Sequence, residues 1–199
     1  LTDKGVVFVL KCLAAALVLS AAIGFATPAR AVQVAVDIGH TQAASGAVSA
    51  RGIKELDFNR VLAAQVVRAL AARGLGVQTI NADGLITSLD ERPKQAAGSD
   101  FFLSIHHDSV QEHWLEEWDW DGSTQTYSDL QRGFSFFVSR DNPDLETSLR
   151  CASSIGTRLR RLGFVAATHH ADSMPGRLRP YADVDNAVHY YDNLIVLYR

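Results

Sequence analysis

Cysteine is almost absent from this 199-residue chain: there are two, Cys12 and Cys151. Cys12 falls in the apolar N-terminal stretch, so the body of the chain keeps Cys151 alone and cannot form an internal disulfide. Stability must then come from an apolar core. There is no excess of positive charge. Lysine and arginine number 19 against 22 acidic residues, a net charge of −3, which excludes the basic field that nucleic-acid binding needs. No internal repeat or low-complexity segment appears outside the N-terminal stretch. No glutamate follows Glu146.

A long hydrophobic run occupies residues 12–26. Lys4 and Lys11 precede it, and Pro28 and Ala29-Arg30-Ala31 follow it. This reads as a bacterial secretory signal peptide over residues 1–31, cleaved after Ala31 at an A-x-A site. The run is shorter than the ~20 residues of a spanning helix, so no stable membrane anchor is expected after cleavage. A lipoprotein is disfavoured because Cys12 precedes the apolar core rather than a cleavage point. Residues 32–199 are the size of one domain, and the expected location is periplasmic or secreted.

Alternating Val34, Val36 and Ile38 followed by Gly39 predict a core strand over 33–38 that ends in a turn. A ligand loop is expected over 39–54, a helix over 56–73 and a strand over 76–80. Phe58, Val61, Leu62, Val66, Ala69 and Leu70 supply that helix's apolar face, and Gly74 its stop. A short helix follows over 93–97, capped by Ser88 or, better, by Asp90 with Pro93 in the first turn. Strands over 101–105 and 134–139 flank a long polar segment. A helix over 143–162 starts from an Asn142 cap with Pro143 at its first position. This alternation predicts an α/β fold: one domain, a mostly parallel or mixed central sheet, helices on both faces.

His40 and His106 each stand where an apolar strand breaks into polar sequence, the place where open α/β sheets bind ligands. Glu55 stands at the start of the first helix. Two imidazoles and a carboxylate from separate segments are the inventory of a catalytic zinc site with one coordination position left open. A lone histidine at a strand end is more often structural than a ligand. Asp37 is read as orienting an imidazole through its free N–H. His107 and Asp108, beside His106, are read as lining the substrate side. His169-His170 reads as a solvated pair, with a second metal site disfavoured, and His189 as a contact approaching the crevice.

Residues 111–131 hold Trp114, Trp118 and Trp120 among Glu112, Glu116, Glu117, Asp119 and Asp121. Either Trp114 or Trp118 lines a glycan groove, or the tryptophans pack onto the core. The large area an indole buries favours packing.

Asp37-Ile-Gly-His40, Glu55 and Ser104-Ile-His106, in that order, resemble the zinc-dependent type-3 (AmiC-like) N-acetylmuramoyl-L-alanine amidases. Leu89-Asp-Glu-Arg92 with Ala96, and Gly133-Phe-Ser-Phe-Phe137, resemble the family's next helix and strand. Residues 194–199 resemble the start of its late strand. The resemblance spans residues 34–199. It implies zinc held by His40, Glu55 and His106, and hydrolysis of the amide between N-acetylmuramic acid and L-alanine in peptidoglycan by a metal-activated water. A regulatory envelope protein is a partner the family allows.

The family's general base is a second glutamate beyond the late strand. The expectation is therefore an amidase domain over 32–199 lacking its C-terminal part, with no confident catalytic base of its own and severely reduced hydrolysis. Thr41-Gln42 stands where relatives often have glycine, which predicts a stiffer ligand loop, and His107 stands where a small residue is common. Two other readings stay open. One is a catalytically impaired peptidoglycan-binding module. The other is a zinc carboxypeptidase acting on the stem peptide, although no His-x-x-Glu pair occurs around His40.

Overall fold

A computed structural model describes residues 30–108, 110–130, 132–167, 169–171 and 179–198. The expected signal peptide therefore lies almost wholly outside the described residues. Ala31–Arg199 is a compact unit, and its architecture is α/β.

The first layer is a parallel sheet. Strand β1 (Gln33–Ile38) pairs on one side with β2 (Gly76–Ile80) and on the other with β3 (Phe101–Ile105), after helix α1 (Glu55–Ala71) and the short helix α2 (Glu91–Gln95) make the crossovers. A central parallel strand is covered on both faces and reads as nearly continuous apolar sequence. Val34, Val36 and Ile38 pack with Leu56, Ala63 and Ile105 on the α1 side. Ala35 packs with Ile80 and Ala96 on the other. All three strands carry the bounds their sequence pattern predicts.

The inward face of α1 is not the one expected. Glu55, Leu56, Asn59 and Ala63 are buried, with Val66, Val67 and Leu70 packed beside them. Phe58, Val61, Leu62 and Ala69 are exposed. Two polar residues occupy the buried stripe, so apolarity alone points to the wrong face.

Residues 111–131 are not an irregular loop. After a 3₁₀ turn at Glu112–Trp114, strands β4 (Glu116–Trp120) and β5 (Ser123–Tyr127) form an antiparallel hairpin. Its two-residue turn is Asp121-Gly122, both at positive φ (52° and 76°), the type I′ geometry that Asp-Gly favours.

The last layer is a three-stranded sheet ordered β6 (Phe136–Val138), β8 (Val188–Tyr190), β7 (Tyr181–Asp183), with helix α3 (Leu145–Arg161) packed on it through Ala152 and Leu149. Strand β6 is shorter than expected because Phe134 makes only an isolated bridge to Ala166. Helix α3 starts two residues late. Asp144, not Asn142, is its N-cap, accepting from the Thr147 N–H at 3.2 Å. The segment expected as a late strand over 194–199 contains helix α4 (Ile195–Tyr198). A short apolar run is compatible with either state. No helix among the described residues is long and apolar enough to cross a membrane.

Candidate metal centre

The site is built at the carboxyl ends of β1 and β3. Parallel pairing puts Ile38 beside Ile105, and the Gly39 N–H donates to the Ile105 carbonyl at 3.0 Å. The residues that follow each strand, His40 and His106, are thereby held side by side, with ring centroids 4.8 Å apart.

His40 adopts the left-handed backbone conformation, φ 70°. For a non-glycine residue this costs on the order of 1–3 kcal/mol and persists only where its surroundings enforce it. The enforcing groups are buried. Arg92, 2 % exposed, donates to the carbonyls of His40 (2.8 Å) and Ile38 (3.2 Å). Asn81 donates to the same two carbonyls, 2.7 Å each. Thr41 Oγ1 accepts from the Ala44 N–H at 3.0 Å, and Gln42 bonds to Asp83 and Gly84. These contacts tie down the loop after His40.

Glu55 enters from the first turn of α1, where a carboxylate suits the helix dipole. The loop of residues 39–54 caps this end: Glu55 N–H donates to the Ala47 carbonyl (2.8 Å) and Leu56 N–H to that of Ser45 (3.1 Å). Glu55 Oε1 lies 3.0 Å from His40 Nε2 and 3.1 Å from His106 Nδ1. It also accepts from the His107 N–H at 3.0 Å. Oε2 accepts from the Ala47 N–H at 3.0 Å. Burial is the largest single influence on Glu55 and pushes its pKa up. Hydrogen bonds from His106, His40 and Ala47 outweigh it and hold the carboxyl far below the usual range. Its bond to His40 raises that imidazole in turn.

Two glycines make room for this packing. A Cβ on Gly39 would strike the His106 ring. One on Gly46, at φ +80°, would strike Glu55 Oε2 and stand 2.7 Å from His40 Nε2. Gly46, Ala47, Asn59, Asn81 and Arg92 are site-building residues that sequence reasoning missed. The single available signal was Glu55 and Asn59 at i, i+4 on one helix face.

Of the remaining candidates, His107 and Asp108 follow directly on His106, and the others fall elsewhere. Asp37 meets no imidazole. It is fully buried, accepting from Ser104 Oγ at 2.6 Å and facing Arg92 Nη1 at 3.4 Å. One residue before the end of β1, it shares the face of Ala35. His107 is exposed, and its Nδ1 lies 2.8 Å from Asn59 Oδ1; burial lowers its pKa. Asp108 is exposed beyond it. His189 is not at the crevice. It is fully buried in β8 between Phe137 and Tyr181. His170 is not solvated; burial first, then the neighbouring His169 and Arg179, push it down to about 3.

Among the described residues, His40, Glu55 and His106 are the one group of three whose potential ligand atoms all lie within 4.8 Å of one another. A tetrahedral zinc with bonds of ~2.1 Å needs its donors roughly 3.4 Å apart. Two imidazoles and an ionised carboxylate at this spacing fit that requirement in chemistry and in reach.

Two imidazoles and a carboxylate are a donor set that zinc hydrolases use. The chain belongs to the N-acetylmuramoyl-L-alanine amidase family: that family's model (Amidase_3) matches residues 34–179. It is 27 % identical to the uncharacterized protein YqiI of Bacillus subtilis over 171 residues, covering 80 % of this chain and 82 % of that one. Its fold is similar to that of the N-acetylmuramyl-L-alanine amidase Ami1 of Mycobacterium abscessus, with TM-score 0.59, 18 % identity, and coverage of 85 % and 79 % of the two chains. It is equally similar to an N-acetylmuramoyl-L-alanine amidase of Clostridium difficile 630, with TM-score 0.59, 17 % identity, and coverage of 84 % and 73 %.

Proposed function

We propose that this chain hydrolyses the amide joining the lactyl group of N-acetylmuramic acid to the first alanine of the peptidoglycan stem peptide, with zinc held by His40, Glu55 and His106. The observation that carries the reading is the convergence of those three side chains on one point from three separate elements. When bound, zinc supplies Lewis acidity, lowering the pKa of a water and polarising a carbonyl. The chain's own residues hold the donors in place. His107 N–H and Ala47 N–H each hold one carboxylate oxygen of Glu55, so the ligand cannot swing. Arg92 and Asn81 fix the backbone that aims His40. His107 and Asp108, exposed just past His106, border the substrate side. The leader read in residues 1–31, the catalytic domain in 32–199 and a periplasmic or secreted site of action belong to the same proposal.

Two measurements test it. Zinc stoichiometry by metal analysis after dialysis is expected near one per chain, lost in His40→Ala and His106→Ala. Zinc retention equal in wild type and both variants contradicts the site. In purified sacculi, whatever cleavage occurs is expected to separate free stem peptides from intact glycan strands. Binding to sacculi without peptide release supports a binding module instead, and release of terminal amino acids from stem peptides a carboxypeptidase.

A further inference from the structure

Asn59 is fully buried on the inner face of α1, yet it is polar and touches three parts of the site. Its Nδ2 faces the Gly39 carbonyl at 3.2 Å and Glu55 Oε1 at 3.5 Å. Its Oδ1 faces His107 Nδ1 at 2.8 Å. The amide has one sensible orientation. Turned over, its oxygen would confront two acceptor oxygens with no proton between them, whereas as placed its two N–H groups meet both. The oxygen must then face the ring, and an acceptor facing Nδ1 at that distance requires Nδ1 to carry the proton. His107 therefore keeps Nε2 as its acceptor, on an exposed ring next to a metal-site histidine.

We propose that Asn59 is a positioning residue with two linked tasks. It locks His107 as the Nδ1–H tautomer, and it ties Glu55 to the Gly39 carbonyl beneath His40, so that the carboxylate and both imidazoles keep their mutual geometry. The second task rests on the zinc reading above; the first does not. Groups that orient metal ligands from behind typically change metal affinity 10–100-fold when removed. A polar residue at a 0 % exposed helix position, with an apolar isostere available, is otherwise unexplained.

The test uses histidine labelled with ¹⁵N in the zinc-free protein at about pH 8, where ordinary imidazoles are neutral. Wild type is expected to show the Nδ1–H pattern for His107. Asn59→Leu, similar in volume, is expected to lose it for the Nε2–H form that imidazole prefers in water. Asn59→Asp keeps the acceptor facing Nδ1, so the Nδ1 proton is expected to stay, while its second oxygen confronts Glu55 and the Gly39 carbonyl and is expected to loosen zinc binding. Zinc affinity, measured by competition with a chelating dye, is expected to fall 10–100-fold in Asn59→Leu. An Nε2–H pattern in wild type overturns the tautomer lock even if neither variant folds. An unchanged pattern in Asn59→Leu overturns it as well. Wild-type zinc affinity in folded Asn59→Leu overturns the second task. Wild type that binds no zinc defeats the metal reading while leaving the tautomer result intact.

Discussion

Both carboxylate oxygens of Glu55 are engaged, and the side chains and amides that engage them leave no slack for a larger neighbour. Gly46 is the tightest point. A methyl there meets both Glu55 and His40, on a backbone at φ +80° that side chains rarely adopt. Gly46→Ala is expected to weaken zinc binding at least tenfold and to destabilise by roughly 1–3 kcal/mol; competition titration and urea unfolding read the two. Wild-type values for both contradict the packing. Arg92 presents a different vulnerability. Its guanidinium satisfies the carbonyls of Ile38, His40 and Ile86 and faces Asp37. Arg92→Met strands those acceptors and an acidic group, at about 3–5 kcal/mol. Arg92→Lys is not expected to rescue it, because an ammonium cannot reproduce a planar fork. A loss of unfolding free energy below about 1 kcal/mol, read from urea titration, would contradict this. At this scale the sequence was legible only in part. His40, Glu55 and His106 stand out because imidazole and carboxylate at strand ends are chemically conspicuous. Arg92 and Asn81 act on backbone carbonyls distant in the chain, and Gly46 acts through the side chain it lacks, which leaves no local pattern.

Hairpin β4–β5 is the element whose role depends on the ligand loop. Trp118 and Trp120, two apart on one face, stack at 5.0 Å. Trp118 Nε1 donates to the Ala50 carbonyl at 2.7 Å, and Arg51 lies over the Trp120 ring. The hairpin thus clasps the tip of the loop that carries Gly46 and Ala47. Trp114 and Trp118 are half-buried, and Trp120 is exposed. Trp118→Phe keeps a ring but removes the bond. Hydrogen exchange at the amides of Ser49 and Gly52, which close the loop tip at 2.8 and 2.9 Å, is expected to accelerate several-fold while β1 is unchanged; unaltered exchange at the tip refutes the clasp. The three parallel strands were readable because each is an apolar run ended by a turn or polar break. The hairpin was not, because both its faces carry polar residues and the Asp-Gly turn sits inside an acidic stretch. Strands β7 and β8 are three residues each, too short for period-two alternation to register.

The whole molecule's response to acid follows from imidazoles that lie away from the metal centre. His189 is enclosed by Phe137 and Tyr181, with Nδ1 3.0 Å from the Arg179 carbonyl, and burial lowers its pKa. His170 is pushed down to about 3. His170 is neutral in the folded chain near pH 6, and His189 takes up a proton less readily than a free imidazole. An imidazole in the unfolded chain titrates near 6.5. Below that value the unfolded state binds protons that the native state refuses, so these residues contribute full stability above pH 6.5 and lose it as pH falls toward their folded values. For His170 the loss approaches about 1.4 kcal/mol per pH unit. His40 acts oppositely, because its raised pKa adds stability as pH falls. Glu55 loses its contribution only below its ordinary value of 4.5. A comparison of wild type with His189→Phe cancels both. Phenylalanine fills the slot between the two rings and cannot be protonated. Its stability is expected to fall less steeply than wild type's between pH 6.5 and about 4.5, as read from urea midpoints. Parallel acid limbs in the two proteins would mean that His189 takes up its proton without leaving the fold, and that its enclosure between Phe137 and Tyr181 does not exclude charge.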